Sequence, residues 1–352
     1  MFLAIKEIEF SKFKYLLVIG LLFLISYLVF FLTGLANGLA QANRSAIDLW
    51  QADEIVLVSG VENRIQMSVF PAFLEENIEA REKAKLGLQM ALFKNPKEEG
   101  SLSAQLLGIE KDSFITPEIA EGKIFEGQNE VVVPTSFLEK EDLKIGDKLT
   151  LNNSELELTI VGSANDPQLS VQPAFYMDLK DFQALEITPG DAKSPLISAV
   201  VTRGATKTNN DQLETNKISD FISDLPGYGA QNATFGMMIG FLIVIAAFVI
   251  GIFIYVLTLQ KESVFGIMKA QGISNGYLIG SVLYQTILLS GIGILIGLFL
   301  NWLSALFLPA TVPFAINWVF TLTIAGLILV FAALGGLFSS RMITKIDPLD
   351  AI

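Results

Sequence analysis

The chain has 352 residues, 52% of them apolar, a formal net charge of −12, and neither cysteine nor histidine. Without those two residue types it has no disulfide, no thiol chemistry, no zinc site of Cys/His type and no Ser-His-Asp hydrolase. The acidic balance argues against a nucleic-acid partner.

Residues 1–15 (MFLAIKEIEFSKFKY) place Phe2, Ile5, Ile8 and Phe13 near a helical repeat among Lys6, Glu7, Glu9, Lys12 and Lys14. That pattern predicts a helix lying on the inner membrane surface. No charged residue then occurs between Tyr15 and Asn43, between Leu225 and Gln260, or between Ala270 and Ser340. A membrane crossing needs about 20 residues. The last run is therefore a hairpin, interrupted by Asn301, Pro309, Pro313 and Asn317. The expected spans are 16–36, 235–259, 278–300 and 316–338, with a short extracellular connection at 301–315. Ala40-Gln41-Ala42 resembles a signal-peptide cleavage site, but an apolar core of about 20 residues exceeds the usual ~7–15 and favours a retained span.

Residues 37–234 hold 17 basic and 31 acidic residues, whereas the rest of the chain holds 7 and 5. Those seven are Lys6, Lys12, Lys14, Lys261, Lys269, Arg341 and Lys345. By the positive-inside rule all three clusters face the cytoplasm. This puts both termini, the 260–277 segment and the 339–352 tail inside, and the acidic domain outside. The expected fold is an integral membrane α-helical protein of four transmembrane helices, with an α+β extracellular domain inserted between helices 1 and 2.

Within that domain, EIVLVSG (54–60) reads as a strand with Asn63–Phe70 as its partner, and Pro71–Lys85 as a helix. Residues 130–133 (EVVV) read as a buried strand and Ser136–Leu143 as a short helix. Leu143–Leu149 reads as a turn into a strand, and Ser154–Gly162 (SELELTIVG) as a half-buried strand. Nothing there has catalytic spacing. The expected spans contain no Asp, Glu, Lys, Arg or His, the groups that ion-coupled carriers usually need at membrane depth, and the chain has no phosphate-binding G-x-x-x-x-G-K-[ST] loop. Energy for any transport should come from a separate ATPase. Gly34/Gly38, Gly236/Gly240 and Gly293/Gly297 have the spacing that lets helices approach closely, and a homodimer would double four spans to eight.

Lys261–Gly272 (KESVFGIMKAQG) resembles the cytoplasmic signature of MacB/FtsX-type ABC permeases. The one-plus-three layout, the EVVV…LKIGDKLTL…LTIVG pattern and the terminal IDPLDAI agree, so the resemblance covers essentially the whole chain. Members often carry Arg or Glu just before the Gly-Ile pair, where this chain has Val264-Phe265. The resemblance implies a permease homodimer with two copies of a separate ABC ATPase that binds ATP and Mg, in the cell membrane among its lipids. It also implies that the 260–277 segment docks on that ATPase. Phe265, Ile267 and Met268 would supply an apolar face, and Lys261, Glu262 and Lys269 a charged rim.

Within the family, AIKEIEFSKFKYLLV, GLANGLAQAN and DPLDAI are most similar to haem-exporting permeases of Gram-positive bacteria. Haem would then be the transported ligand, with no intrinsic cofactor and no metal site. Axial ligation without His or Cys falls to Met, Tyr or carboxylate. Trp50, Tyr228, Phe235, Met237 and Met238 lie near the span–domain junctions, with Arg44 placed to pair with a propionate. Tyr176 and Met177 are weaker candidates. Two other readings fit the same layout: export of a lipid, lipoprotein or peptide antibiotic, or transmission of ATPase motion to an extracellular cell-wall hydrolase without transport.

Overall fold

The computed structural model describes residues 12–94, 100–152, 155–185, 194–309 and 312–345, with the side chains of 341–345 excluded. The expected interfacial helix lies largely outside these residues, as does most of the expected C-terminal tail. The chain divides into two compact units: Met1–Gly38 with Ala233–Ile352, and Leu39–Asn232.

The helices, in chain order, are α1 (Lys12–Trp50), α2 (Thr135–Glu141), α3 (Leu179–Ala184), α4 (Ile218–Ser223), α5 (Tyr228–Leu259), α6 (Glu262–Ala270), α7 (Asn275–Phe307) and α8 (Trp318–Lys345). Among the described residues α1, α5, α7 and α8 are long and apolar enough to cross a membrane. They outrun the expected spans. At 1.5 Å per residue, the 32 residues of α5 extend about 48 Å, against a hydrocarbon core of about 30 Å. Asn301 does not break α7; it is buried inside that helix, which runs on to Phe307.

The membrane unit is built around α7. Gly293 and Gly297 meet α1 at Leu22–Phe23 and Ser26–Tyr27, closely enough that a Cβ on Gly293 would lie 2.8 Å from Leu22 Cβ. Lipid tails are as apolar as leucine, so helices in a bilayer gain little from hiding from solvent and associate through such close packing. The Tyr27 and Ser304 hydroxyls add a hydrogen bond of 2.9 Å. The Gly34/Gly38 pair serves differently: it seats the α7–α8 connection, with Phe314 over Gly34 and Pro313 over Gly38. Ala315 N donates to Gly34 O and Asn37 Nδ2 to Ala315 O. Gly236 and Gly240 face open space.

The inserted unit holds an eleven-stranded mixed sheet among its described residues. Its long central strand, Glu82–Lys94, pairs antiparallel with Ser101–Ile109 along nine residues. This corrects the expected Pro71–Lys85 helix. Ala72–Asn77 makes only a 3-10 turn, and the strand starts at Glu82. Glu, Lys and Ala favour helix locally, but Ala84, Leu86 and Leu88 recur with period two and are buried, so core packing overrides propensity. The expected partner of the first strand is also replaced. Glu54–Val58 pairs with Ala199–Arg203 and Leu213–Lys217, 144–163 residues downstream. Positive φ at Glu62 and Asn63 turns the chain away before 63–70 can pair. Strands Glu130–Pro134, Lys148–Leu151 and Glu157–Ala164 fall where expected, as does α2.

A hairpin at 168–172 grips the α1 residues of this unit. Ser170 N donates to Asn43 O and Val171 N to Ala42 O. Gln168 N donates to Ser45 Oγ at 2.8 Å. Its two central residues, Ser170 (φ 52°) and Val171 (φ 63°), both lie in the left-handed region. A β-branched residue is strained there.

Two predictions follow from this packing. Val171→Gly removes the strain and should stabilise the protein by about 1 kcal/mol, read as a raised thermal midpoint in detergent; a lowered midpoint would show that the Val171 side chain matters more than its backbone. Gly293→Val should push α7 off α1 and cost about 1–3 kcal/mol. Gly326→Val, with nothing within 4 Å of the added Cβ, is the control and should leave the midpoint of the full chain unchanged.

Candidate functional site

The α6 helix follows α5 after only Gln260 and Lys261. It ends in a left-handed glycine turn at Gly272 (φ 85°), in which Gly272 N bonds Lys269 O and Ile273 N bonds Met268 O. The Ser274 hydroxyl then caps α7 by accepting from Tyr277 N. Both joints are short and hydrogen-bonded. α6 is thus held between two membrane-spanning helices with little freedom of its own.

Its faces differ from the expectation. Phe265 is 1% exposed and belongs to the core of the membrane unit, with Met268 packed partly against it. Lys261 turns the same way: its Nζ donates to Gln285 Oε1 at 3.1 Å and lies 5.5 Å from the centre of the Tyr15 ring. Lys261, Phe265 and Met268 stand at i, i+4 and i+7, one helical stripe. Val264 and Ile267, each 47% exposed, point outward instead, and Glu262 is exposed beside them. Of the expected apolar face, Ile267 alone points outward, with Val264 beside it, whereas Phe265 and Met268 pack inward. Residue type alone suggests an outward Phe265; its stripe spacing with Lys261 and Met268 marks it as inward.

The cargo candidates divide between the two units. In the inserted unit, Trp50 is completely buried in the core, which removes it as a contact in this conformation. Arg44 is committed to Asp48, through bonds of 2.7 and 2.9 Å, and reaches the Tyr228 hydroxyl at 3.4 Å. Tyr228 is itself buried against the same core, so neither is a free group for a propionate or an iron. Tyr176 and Met177 are fully buried, and burial pushes the Tyr176 phenol well above its usual range, with the Trp50 side chain opposing. In the membrane unit Met237 and Met238 are exposed and Phe235 half-buried, all near the start of α5. Of the six residues, the two thioethers stay accessible. Among the described residues no cluster of carboxylates could hold a metal ion.

The α5 face carrying Met237, Phe241, Val244, Phe248, Ile252 and Tyr255 is left uncovered. Between α5 and α8 lies an apolar groove of about 650 Å³, floored where Gly251 meets Gly335. The Ser339 hydroxyl in its lining is turned away to Gly251 O.

Residues 236–348, which include α6, match the family described as FtsX-like permease C-terminal. The chain is 27% identical over 360 residues to a protein of Staphylococcus haemolyticus named "Putative hemin transport system permease protein HrtB", covering 99% of this chain and 98% of that one. A Staphylococcus epidermidis protein of the same name is 27% identical over 358 residues, with the same coverage. An uncharacterized ABC transporter permease of Mycobacterium bovis is 23% identical over 355 residues, again at 99% and 98%. The match to the crystal structure of the extracellular domain of an ABC-type transporter, YknZ, covers 45% of this chain and 83% of that one at 11% identity, with a TM-score of 0.31. The chain is a multi-pass membrane permease. Over residues 236–348 it is similar to FtsX-like permeases, and over nearly its full length to ABC transporter permeases.

The corrected face of α6 makes a specific prediction. Val264→Asp with Ile267→Asp should abolish co-purification with an ABC ATPase while the protein still inserts and folds. Phe265→Asp should instead lower the thermal midpoint of the permease alone by several degrees, because it places a charge in the core. Equal effects of the two changes on ATPase capture and on stability would refute the division into outer and inner faces.

Proposed function

We propose that this chain is the permease subunit of an ATP-driven efflux complex that removes haem from the membrane. It acts as a homodimer with two copies of a separate ABC ATPase, which binds ATP and Mg. The observation that carries the reading is α6, a short helix clamped between α5 and α7 with an apolar outer face of Val264 and Ile267 rimmed by charge. Such a face suits docking into a groove of another protein. Lys261, Lys269, Arg341 and Lys345 orient α6 and both termini toward the cytoplasm and the inserted domain outward. The uncovered face of α5 supports pairing with a second copy, with membrane lipids covering what remains.

Haem as cargo rests on the full-length similarity to proteins named for hemin transport, and on the chemistry left accessible. A porphyrin is flat and apolar, and Met237 and Met238 offer soft thioether ligands where His and Cys are missing. No step needs the permease to hydrolyse ATP. Docking of the ATPases would move α6, and α5 and α7 would carry that motion along the bundle.

The test is ATP hydrolysis by the reconstituted complex across a panel of haem, phospholipid and peptide antibiotics. Haem should stimulate turnover severalfold, and Met237→Ala with Met238→Ala should remove most of the stimulation without lowering basal turnover. Stimulation by a lipid or peptide alone would transfer the machine to that cargo. Stimulation by none, together with capture of a cell-wall hydrolase by the inserted domain of the full chain, would replace export with transmission of force.

A further inference from the structure

The ammonium of Lys261 is in an unusual place. It sits at the joint between α5 and α6, where a lysine would ordinarily extend toward water, yet it bonds Gln285, ten residues into α7 and about 15 Å along that helix from its first residue. Gln285 is buried, and the ring of Tyr15, which Lys261 also faces, is buried at the start of α1. A charged donor bonded to an amide oxygen, with an aromatic face beside it, offsets the cost of leaving water. It also gives this contact more directional hold than an apolar packing contact would. One side chain therefore ties the joint of α6 to two other helices, α7 by a hydrogen bond and α1 by its ring. Phe265, one turn on, fills the core beside it.

We propose that Lys261 is a positioning residue that locks α6 to α1 and α7, so that displacement of α6 moves the bundle rather than the short helix alone. It contacts neither cargo nor nucleotide; it transmits. Phe265 alone would hold α6 against the bundle but, being apolar and non-directional, would let it slide. The Lys261–Gln285 bond fixes its position along α7. The proposal rests on α6 being the element an ATPase moves, but the anchoring itself is a property of the permease.

The experiment has two arms, chosen so that the anchoring and the ATPase reading fail separately. In the full-length permease alone, in lipid nanodiscs, amide hydrogen exchange is measured across 262–270. Lys261→Met and Gln285→Leu should each speed exchange about tenfold, the double variant no further, and Lys261→Arg should restore most of the protection. That non-additivity is the mark of two partners in one contact. Unchanged exchange, or fully additive effects, would overturn the anchoring.

In the second arm the permease is bound to its ABC ATPase, and the change in exchange of α1 residues 12–22 on adding a non-hydrolysable ATP analogue is recorded. Lys261→Met should abolish that change while the ATPase still co-purifies, and Lys261→Arg should keep it. A retained change in Lys261→Met would overturn the transmitting role. Lost co-purification with unchanged exchange in α6 would make Lys261 a docking residue and overturn the proposal. Failure of the unsubstituted permease to bind any ABC ATPase would instead overturn the efflux reading and leave the first arm to decide the anchoring.

Discussion

The backbone contact between α7 and α1 at Gly293 and Gly297 is the constraint on which the membrane unit depends. In a bilayer the hydrophobic effect that assembles soluble cores is largely absent, so helices must fit closely or bond across their interface. Here both happen on one side of α7. The two glycines admit the α1 backbone, and Tyr27 and Ser304 bond a few residues further on. Opposite, Gly336 of α8 rests on the Thr286 side chain, and Gly335 meets Gly251 of α5. Small residues thus set the spacing of all four spanning helices. Once those distances are fixed, the positions of Gln285 and Tyr15 are fixed too, and Lys261 finds them.

Much of this was legible in the sequence, for physical reasons that also explain what was not. Long charge-free runs have few interpretations, so the one-plus-three layout is secure from composition. The EVVV strand and the helix after it sit where local pattern and burial agree. Pro71–Lys85 failed because its helix-forming residues are local information, whereas its burial depends on strands far along the chain. The first strand failed in the same way: its partners lie 144–163 residues away, and no local signal names them. Residue types such as Trp50 and Arg44 suggested a cargo site, but type says nothing about whether a side chain is sealed in a core or already paired.

The glycine pairs show the same limit from another direction. All three share one spacing, yet one joins two helices, one seats a connecting segment, and one faces open space. Spacing reports that close approach is possible; only the partner decides what approaches. For Gly236 and Gly240 a partner would have to come from outside the chain. This fits the apolar residues exposed along the rest of α5.

The absence of Asp, Glu, Lys, Arg and His from the expected spans implies that any driving force is borrowed, and the fold refines what borrowing requires. A helix that merely touched an ATPase would deliver no work if it could pivot or slide at its joints. α6 has a two-residue joint at one end and a hydrogen-bonded glycine turn, followed by a capped helix, at the other. Those features resist pivoting. They leave sliding along α7, which the proposed Lys261 anchor would oppose, since its side chain turns into the helix bundle. A lysine is costly to hold there compared with a leucine, and its directional bond to Gln285 is what a leucine would lack.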